Sequence, residues 1–397
     1  MFDSRITDRR NYRSLILAGI GTIGGSLITL GPDQLALFEY IYAVDKKSTK
    51  LAGLQDSGII CRAGDVTAPA FLDLLVSDVP GPALFVNLCS GTDHIRIRQN
   101  LIRHDCAYLD SCASITENPD ECRFSRLMPY TYARIDTQRP HWLCWGINPG
   151  LVEIVARRIL AGLPDRSNGY DVAIYEFDRL KNIADNNRAA VGWCPEDLVE
   201  EVMLSPTLMV VDGHPREDPS PGARDCLVNW DDRQIPARIV AHEDIWNLAE
   251  IAAVRNSSFF YSLNPAVMEI LHMDDAEKAR NLIYTPTGND PVSGLEQVAV
   301  QVNGKKMSAP KTLVWTEDHA ETWSRFEVNA VQYQTSKSML LAVMLLQCTH
   351  YGLVPHSNNA ANLPITAEDW EIFDSFMQEL DIDWQDGSHL NLYPTGI

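Results

Sequence analysis

A glycine-rich turn follows the first apolar run of this chain, and it limits the possible folds more than any other stretch. Leu15-Ile16-Leu17-Ala18 leads into Gly19-Ile20-Gly21-Thr22-Ile23-Gly24, and a second apolar segment follows. Strand, Gly-x-Gly-x-x-Gly and helix in this order let a backbone wrap around a pyrophosphate. Gly19 permits the tight turn, Gly21 lets the main chain approach the phosphates, and Gly24 lets the helix pack on the strand. The helix that follows faces the phosphates with its N-terminus, and Thr22 and Ile23 join the three glycines as candidate cofactor contacts. Asp45 closes the next apolar run about twenty residues on, where an acid holds the hydroxyls of an adenosine ribose. These features predict a dinucleotide site and favour NAD. Lys46 and Lys47 follow directly and keep a 2′-phosphate open as the alternative.

The first third repeats this alternation. Residues 14–18, 41–44, 58–61, 83–88 and 107–110 read as strands, with helices at 70–76 and 95–104. Such repetition builds a parallel, doubly wound sheet of the Rossmann type. Ligands of open sheets bind at the carboxyl ends of strands. Asn87, Cys89 and Ser90 after the fourth strand, and Asp110 and Ser111 after the fifth, are therefore candidate cofactor contacts. The pattern changes near Asn148-Pro149-Gly150, a turn that places Asn148 and Pro149 at a cleft between domains before a helix at 151–160. Short alternating strands follow at 171–176, 208–212, 237–241, 298–302 and 312–315, and they predict a mixed sheet. Residues 213–222 read as an exposed loop, and 331–347 and 368–379 as helices. The expected architecture is α/β. Residues 1–146 and about 325–397 form the Rossmann domain, with the C-terminal helices returning to it. Residues 147–324 form an α+β substrate domain on the mixed sheet.

A chain of 397 residues accommodates two or three domains. Its net charge of −20 opposes a nucleic-acid partner and is compatible with a cationic ligand. No apolar run reaches the length of a membrane span, and residues 1–13 are too polar for a secretory signal. Nine cysteines without a Cys-x-x-Cys, including the loose group Cys106, Cys112 and Cys122, read as reduced thiols of a cytoplasmic protein and not as a zinc site.

Several further motifs stand in the same order. They are Tyr108-Leu109-Asp110-Ser111-Cys112, Asn148-Pro149-Gly150-Leu151-Val152 and Ile174-Tyr175-Glu176-Phe177-Asp178. Trp193 is followed by Glu196 and Glu201, then come Val240-Ala241-His242-Glu243-Asp244 and Asn329-Ala330 with Gln334 and Ser336. With the glycine turn, this series resembles the saccharopine dehydrogenase superfamily and, within it, the bacterial homospermidine synthases. The chain departs from the pattern where His-Asn-Glu becomes His242-Glu243-Asp244, where Asn-Ala-Thr-Gly becomes Asn329-Ala330-Val331-Gln332, and where Phe177 replaces an arginine.

The resemblance implies an NAD-dependent reaction on a diamine or polyamine, in which an amine is oxidised to an imine, exchanged with a second amine and reduced again. It also implies a homodimer. Glu176, Trp193, Glu201 and Asp244 would form the amine pocket, with His242 as a proton carrier. Carboxylates suit ammonium groups, and an indole face attracts a cation. Plainer readings stand beside these: a core indole for Trp193, a solvated helix face for the glutamates and a structural imidazole for His242. A second function of the same fold is reductive condensation of an amino acid or amine with a carbonyl compound. That reaction needs an arginine for a substrate carboxylate, for which Arg157, Arg179, Arg188 and Arg216 are available.

Overall fold

The computed structural model describes residues 10–54, 57–111, 137–163, 169–182, 189–218, 222–231, 233–287, 290–354, 357–358 and 360–395. The chain forms two compact units. The described part of the first comprises 10–111, 137–150 and Thr335–Asp381; that of the second lies in Leu151–Gln334 and Ile382–Ile397. Cys112, Cys122 and Arg188 lie outside the described residues.

The first unit is a parallel sheet. Its strands are β1 (Ser14–Ala18), β2 (Tyr40–Asp45), β3 (Ile60–Ala63), β4 (Ala83–Asn87), β5 (Cys106–Asp110) and β6 (His141–Trp142). Their spatial order is β3-β2-β1-β4-β5-β6, and Ser357–Asn358 adds a seventh strand beside β6. The order reverses at β1, as a doubly wound fold requires. Leu15 to Ala18 are completely buried, so β1 carries apolar residues on both faces, as a central parallel strand must. Helices α1 (Thr22–Leu30), α2 (Pro69–Asp78) and α3 (His94–Leu101) cover the sheet through apolar faces such as Leu72, Leu75 and Val76. Asp93 caps α3 by accepting from the Ile95 and Arg96 N–H groups at 3.0 and 3.1 Å. Ala18 pairs with Val44 and with Asn87, and Asn87 pairs with Asp110. This register brings the glycine turn, Asp45, Asn87 and Asp110 to one rim.

The second unit is a ten-stranded mixed sheet. Its centre holds β7 (Tyr170–Asp178), β8 (Arg224–Trp230), β9 (Arg233–Ile239), β10 (Val254–Ser262), β11 (Leu295–Asn303) and β12 (Lys311–Asp318) in the order β12-β11-β7-β10-β9-β8. β7 and β10 run parallel, and the other neighbours in this series run antiparallel. One face of the sheet is apolar, with Tyr175 and Phe177 packed among Phe260, Ala299, Val228 and Trp230. Alternation along β7 sends Glu176 and Asp178 to the other face.

The structure departs from the sequence reading in two places. Residues 213–222 contain the strand His214–Glu217, paired with Leu208–Val211. Asp212 and Gly213 have φ of +50° and +77°, the conformation of a two-residue hairpin turn. Residues 325–334 and 382–395 fall in the second unit, the latter tied to it by the pairing of Gln385–Asp386 with β12 and of Tyr393–Thr395 with β8. No helix among the described residues is long and apolar enough to cross a membrane.

The glycine turn has an asymmetry that can be tested. A Cβ on Gly24 would lie 2.1 Å from the Gly19 carbonyl oxygen, whereas one on Gly21 would meet nothing within 4 Å. Gly24→Ala is expected to cost about 1–3 kcal/mol through forced backbone movement. Gly21→Ala is expected to leave thermal stability unchanged. Calorimetric melting of the two variants in the ligand-free protein checks this, and equal melting temperatures would refute it.

Candidate active site

In the first unit the chain turns sharply after β1. Gly19 has φ of +92°, and a Cβ there would come within 2.7 Å of the Leu88 backbone. No side chain caps α1, so the N–H groups of its first turn, which starts at Thr22 and Ile23, lack the usual side-chain acceptor. The space beside Gly21 and these uncapped donors fit a pyrophosphate. Asp45 ties the turn to β2, its Oδ2 accepting the Ile20 N–H at 2.9 Å and its Oδ1 the Lys47 N–H at 2.8 Å. Each oxygen keeps a lone pair for a further donor.

The other rim candidates divide into two groups. Ser90 is exposed, while Cys89, Ser111 and Asn148 are half-buried. Burial, then Asp45 and Asp65, pushes the Cys89 thiol up to about 11, so it is no nucleophile at neutral pH. Asn87 and Asp110 turn inward. Asn87 donates to the Tyr108 hydroxyl at 3.0 Å and accepts the Cys89 N–H at 3.2 Å. Asp110 is completely buried, and its Oδ1 accepts the Cys144 N–H at 2.6 Å. Burial raises its pKa, against the opposing pull of His94 and Arg98. Pro149 is buried, and its carbonyl accepts the Gly146 N–H at 2.6 Å.

In the second unit, the polar face of the sheet and the segments over it hold all five predicted pocket residues, in two groups. Glu176 on β7 stands beside Tyr261 on β10. The Tyr261 hydroxyl accepts the Trp193 indole N–H at 2.7 Å, which fixes the plane of a half-buried ring. The second group surrounds His242. Its Nδ1 lies 3.0 Å from Asp244 Oδ1 and its Nε2 lies 3.9 Å from Glu201 Oε1. The imidazole stacks on Phe259 at 4.4 Å, and Phe259 meets Tyr261 edge to face at 6.1 Å, so an aromatic pair links the groups.

The helix Pro195–Val199 widens into a π turn at Glu200–Leu204. Glu196 remains exposed, where it accepts the Cys194 thiol at 3.2 Å, while Glu201 turns inward. Such π turns recur at functional sites. The solvated-face reading therefore holds for Glu196 and fails for Glu201.

Burial opposes charge on His242, but Asp244, Glu201 and Glu243 outweigh it and push the imidazole up to about 10. At neutral pH it is a cation clamped between carboxylates, so it cannot take a proton from an ammonium group. As a proton carrier it would therefore act from its protonated form.

Two carboxylates outside the predicted pocket share the face of Glu176. Glu296 on β11 pairs across the strands with Asp178. The extension of the Val298, Val300, Val302 alternation back by two residues marks Glu296 as a buried position, so the signal was present in the sequence. Asp178 Oδ1 accepts from the Leu180 N–H at 2.8 Å and from His319 Nε2 at 3.1 Å, and its Oδ2 accepts the Gly192 N–H at 3.1 Å. Asp178, Glu296 and His319 lie close enough to suggest a metal site. The hydrogen bonds argue against one. His319 Nδ1 accepts the Ala330 N–H at 3.0 Å, so Nε2 carries the proton given to Asp178 and has no lone pair for a metal.

The arginines are dispersed. Arg179 donates to the Ser262 and Leu263 carbonyls at 2.9 and 2.6 Å, Arg216 stands on an exposed strand, and Arg157 lies on the helix Leu151–Ala161. Arg238, which the sequence reading missed, is buried on β9 opposite Tyr261, with its Nε 3.0 Å from Asp225.

The chain matches no protein-family model and no curated protein sequence. Solved structures do match it. A homospermidine synthase from Legionella pneumophila in complex with NAD aligns with a TM-score of 0.73 at 14% identity, over 96% of this chain and 91% of that one. The L-Glu-forming saccharopine dehydrogenase of Saccharomyces cerevisiae aligns with a TM-score of 0.59 at 12% identity, over 97% of this chain and 100% of that one. The likeness is one of fold.

The His242 cluster sets a pH dependence. The folded pKa lies above the ordinary 6.5, so the stabilisation is complete below pH 6.5 and disappears as pH rises through about 10. An NMR titration of the His242 ring is expected to show its midpoint near pH 10, moving down in Asp244→Asn. A midpoint near 6.5 in the unaltered protein would refute the clamp.

Proposed function

We propose that this protein is an NAD-dependent oxidoreductase that acts on primary amines through an imine. Its favoured form is transfer of an aminoalkyl group between diamines, as a homospermidine synthase performs. The observation that carries this reading is the acidic face of the second unit, where Glu176, Asp178 and Glu296 share one side of a sheet with Tyr261 beside them. The shared fold with an NAD-bound homospermidine synthase and the fit of the glycine turn to a pyrophosphate support it.

In this reading Gly19, Gly21, Gly24, the first turn of α1 and Asp45 hold the dinucleotide. NAD held there would supply reversible hydride transfer at the carbon beside the nitrogen. The side chains bind cations and move protons. An alkylammonium keeps its hydride until it loses a proton, and Glu176 is the group to take it. Glu176 is 6% exposed against 1% for Asp178 and Glu296, so it is the carboxylate nearest to solvent. Trp193 offers a ring face to an ammonium group, and the Tyr261 hydrogen bond keeps the ring from rotating. The His242 imidazolium neutralises part of the charge of Glu201 and Asp244 and fixes their positions.

Arg238 favours a second reading, reductive condensation of an amino acid with a carbonyl compound. It is a buried guanidinium on the strand next to Tyr261, already in contact with Asp225 and the Val202 carbonyl, and its remaining N–H groups would meet a substrate carboxylate.

The deciding assay supplies NAD with putrescine, longer diamines, spermidine or lysine, and in parallel NADPH with amino acid and 2-oxo acid pairs. Products are identified by mass. The expected result is a coupled polyamine and free ammonia without net reduction of NAD. Turnover confined to the NADPH arm would replace the first reading by the second, and no turnover of any amine would end it. Trp193→Ala is expected to raise KM for the diamine about 2- to 30-fold, equivalent to roughly 0.5–2 kcal/mol, and Trp193→Phe to raise it less.

A further inference from the structure

The acidic face holds more carboxylates than it holds cations, and the geometry settles which of them can remain ionised. We propose that Glu176 and Glu296 form a carboxyl pair with one shared proton, and that this pair moves protons between the two nitrogens during imine exchange. The proposal rests on the amine reading above.

Glu176 and Asp178 lie two residues apart on β7, and Glu296 faces Asp178 from β11. Five groups face Glu296 or the space beside it: Glu176, Asp178, Arg179, Tyr261 and His319. Asp178 is the fixed anion among them. Two backbone N–H groups and the His319 Nε2–H point at its oxygens, and donors of this kind stabilise the ionised form. The donor role of His319 is locked, because its Nδ1 is occupied by the Ala330 N–H. Arg179 is the nearby cation, but its guanidinium is turned to the Ser262 and Leu263 carbonyls and the Ser262 hydroxyl.

Glu296 and Glu176 are diagonal neighbours on one face of the sheet, since Glu296 pairs with Asp178 and Val298 with Glu176. Two carboxyls crowded beside the fixed charge of Asp178 and closed off from water cannot both stay ionised, so one of them holds a proton. Glu296 is the place for it. The residue is 1% exposed, and no protein donor reaches its Oε2. Burial, then the charges of Glu176 and Asp178, raises its pKa well above the carboxylate range. The pair thus carries one proton and one negative charge.

Such a pair suits imine exchange. Attack of a neutral amine on an iminium carbon makes a C–N bond and leaves the positive charge on the incoming nitrogen. The ionised carboxylate takes a proton from that nitrogen. The protonated carboxyl gives a proton to the departing nitrogen. The C–N bond to that nitrogen then breaks, an amine leaves with the electron pair, and a new iminium remains. The pair ends with one proton, as it began, and no electrons are gained or lost. Glu176, the more exposed member, makes both transfers to the substrate, first as carboxylate and then as carboxyl, and Glu296 is a positioning residue that exchanges the shared proton with it.

The test uses the full-length protein. Infrared difference spectra at pH 7, with no substrate present, are expected to show the C=O stretch of a protonated carboxyl that Glu296→Gln removes. Glu296→Gln should keep the melting temperature. With putrescine and NAD it should lower kcat about 10²-fold, change KM less than about threefold and lose the alkaline fall of the kcat–pH profile. Single-turnover reduction of the nicotinamide by putrescine should keep its rate. If Glu296→Gln does not fold, Glu176→Gln serves as the second variant, since removal of the partner should shift the same band. Unchanged carboxyl bands in the variants, or an unchanged pH profile, would overturn the proposal. A wild-type protein inactive on amines but with the band present would remove the amine reading and keep the proton-sharing pair.

Discussion

Negative charge buried in the middle of a sheet is the constraint around which the second unit is arranged. A carboxylate removed from water is costly unless donors or a proton replace the lost solvation. Asp178 obtains its donors from three separate segments: the end of its own strand through Leu180, the turn at Gly192 and the helix His319–Phe326. Each contact fixes one of those segments in space. A Cβ at Gly192 would lie 3.0 Å from Asp178 Oδ2 and 2.3 Å from Val331, so close approach requires glycine here. The hydrogen bond from Ala330 to His319 then sets the start of the long helix Ala330–Cys348. One buried anion thereby ties the end of β7 to the turn at Gly192 and to the distant stretch that begins at His319.

The two faces of this sheet do different work for the same reason. Tyr175 and Phe177 pack into an apolar core, and the residues between and beyond them carry the charge. The core holds the strands in register, and the register sets which carboxyl meets which. A shift of one residue between β7 and β11 would send Glu296 to the apolar side and break up the polar cluster. In the first unit an analogous rigidity comes from steric contact. Gly19 and Gly24 have almost no free space, Gly21 has open space, and Asp45 closes the turn onto β2. Crowding at two glycines holds the third where a ligand can approach.

Much of the fold was legible because its signals are local. The glycine turn, the apolar strands of the first unit and the helix read at 331–347, observed as Ala330–Cys348, follow from neighbouring residues. Less was legible where partners are distant. Gln385–Asp386 and Tyr393–Thr395 are too short to show a period, and their pairing with β12 and β8 fixes their place in the second unit. The Asp212-Gly213 turn was overlooked because Pro215 and the polar residues after it suggested a loop. The candidate site divides in the same way. Trp193, Glu176, Glu201, His242 and Asp244 stood in recognisable motifs, whereas Glu296 acquires meaning only once β11 is laid beside β7. The charge state of His242 was legible only in part, because Asp244 stands beside it in the sequence whereas Glu201, 41 residues away, adds its charge through a π turn that faces it inward.

The chain passes between its two units at Gly150, at Gln334 and at Asp381, so neither unit is a continuous stretch. The strand Ser357–Asn358 completes the first sheet and the strand Tyr393–Thr395 flanks the second, each supplied by a segment distant in sequence from most of its sheet. No single cut of the chain would therefore release either unit with all of its strands, and a truncation meant to isolate one of them would leave a bare sheet margin or an unpaired remnant of the other.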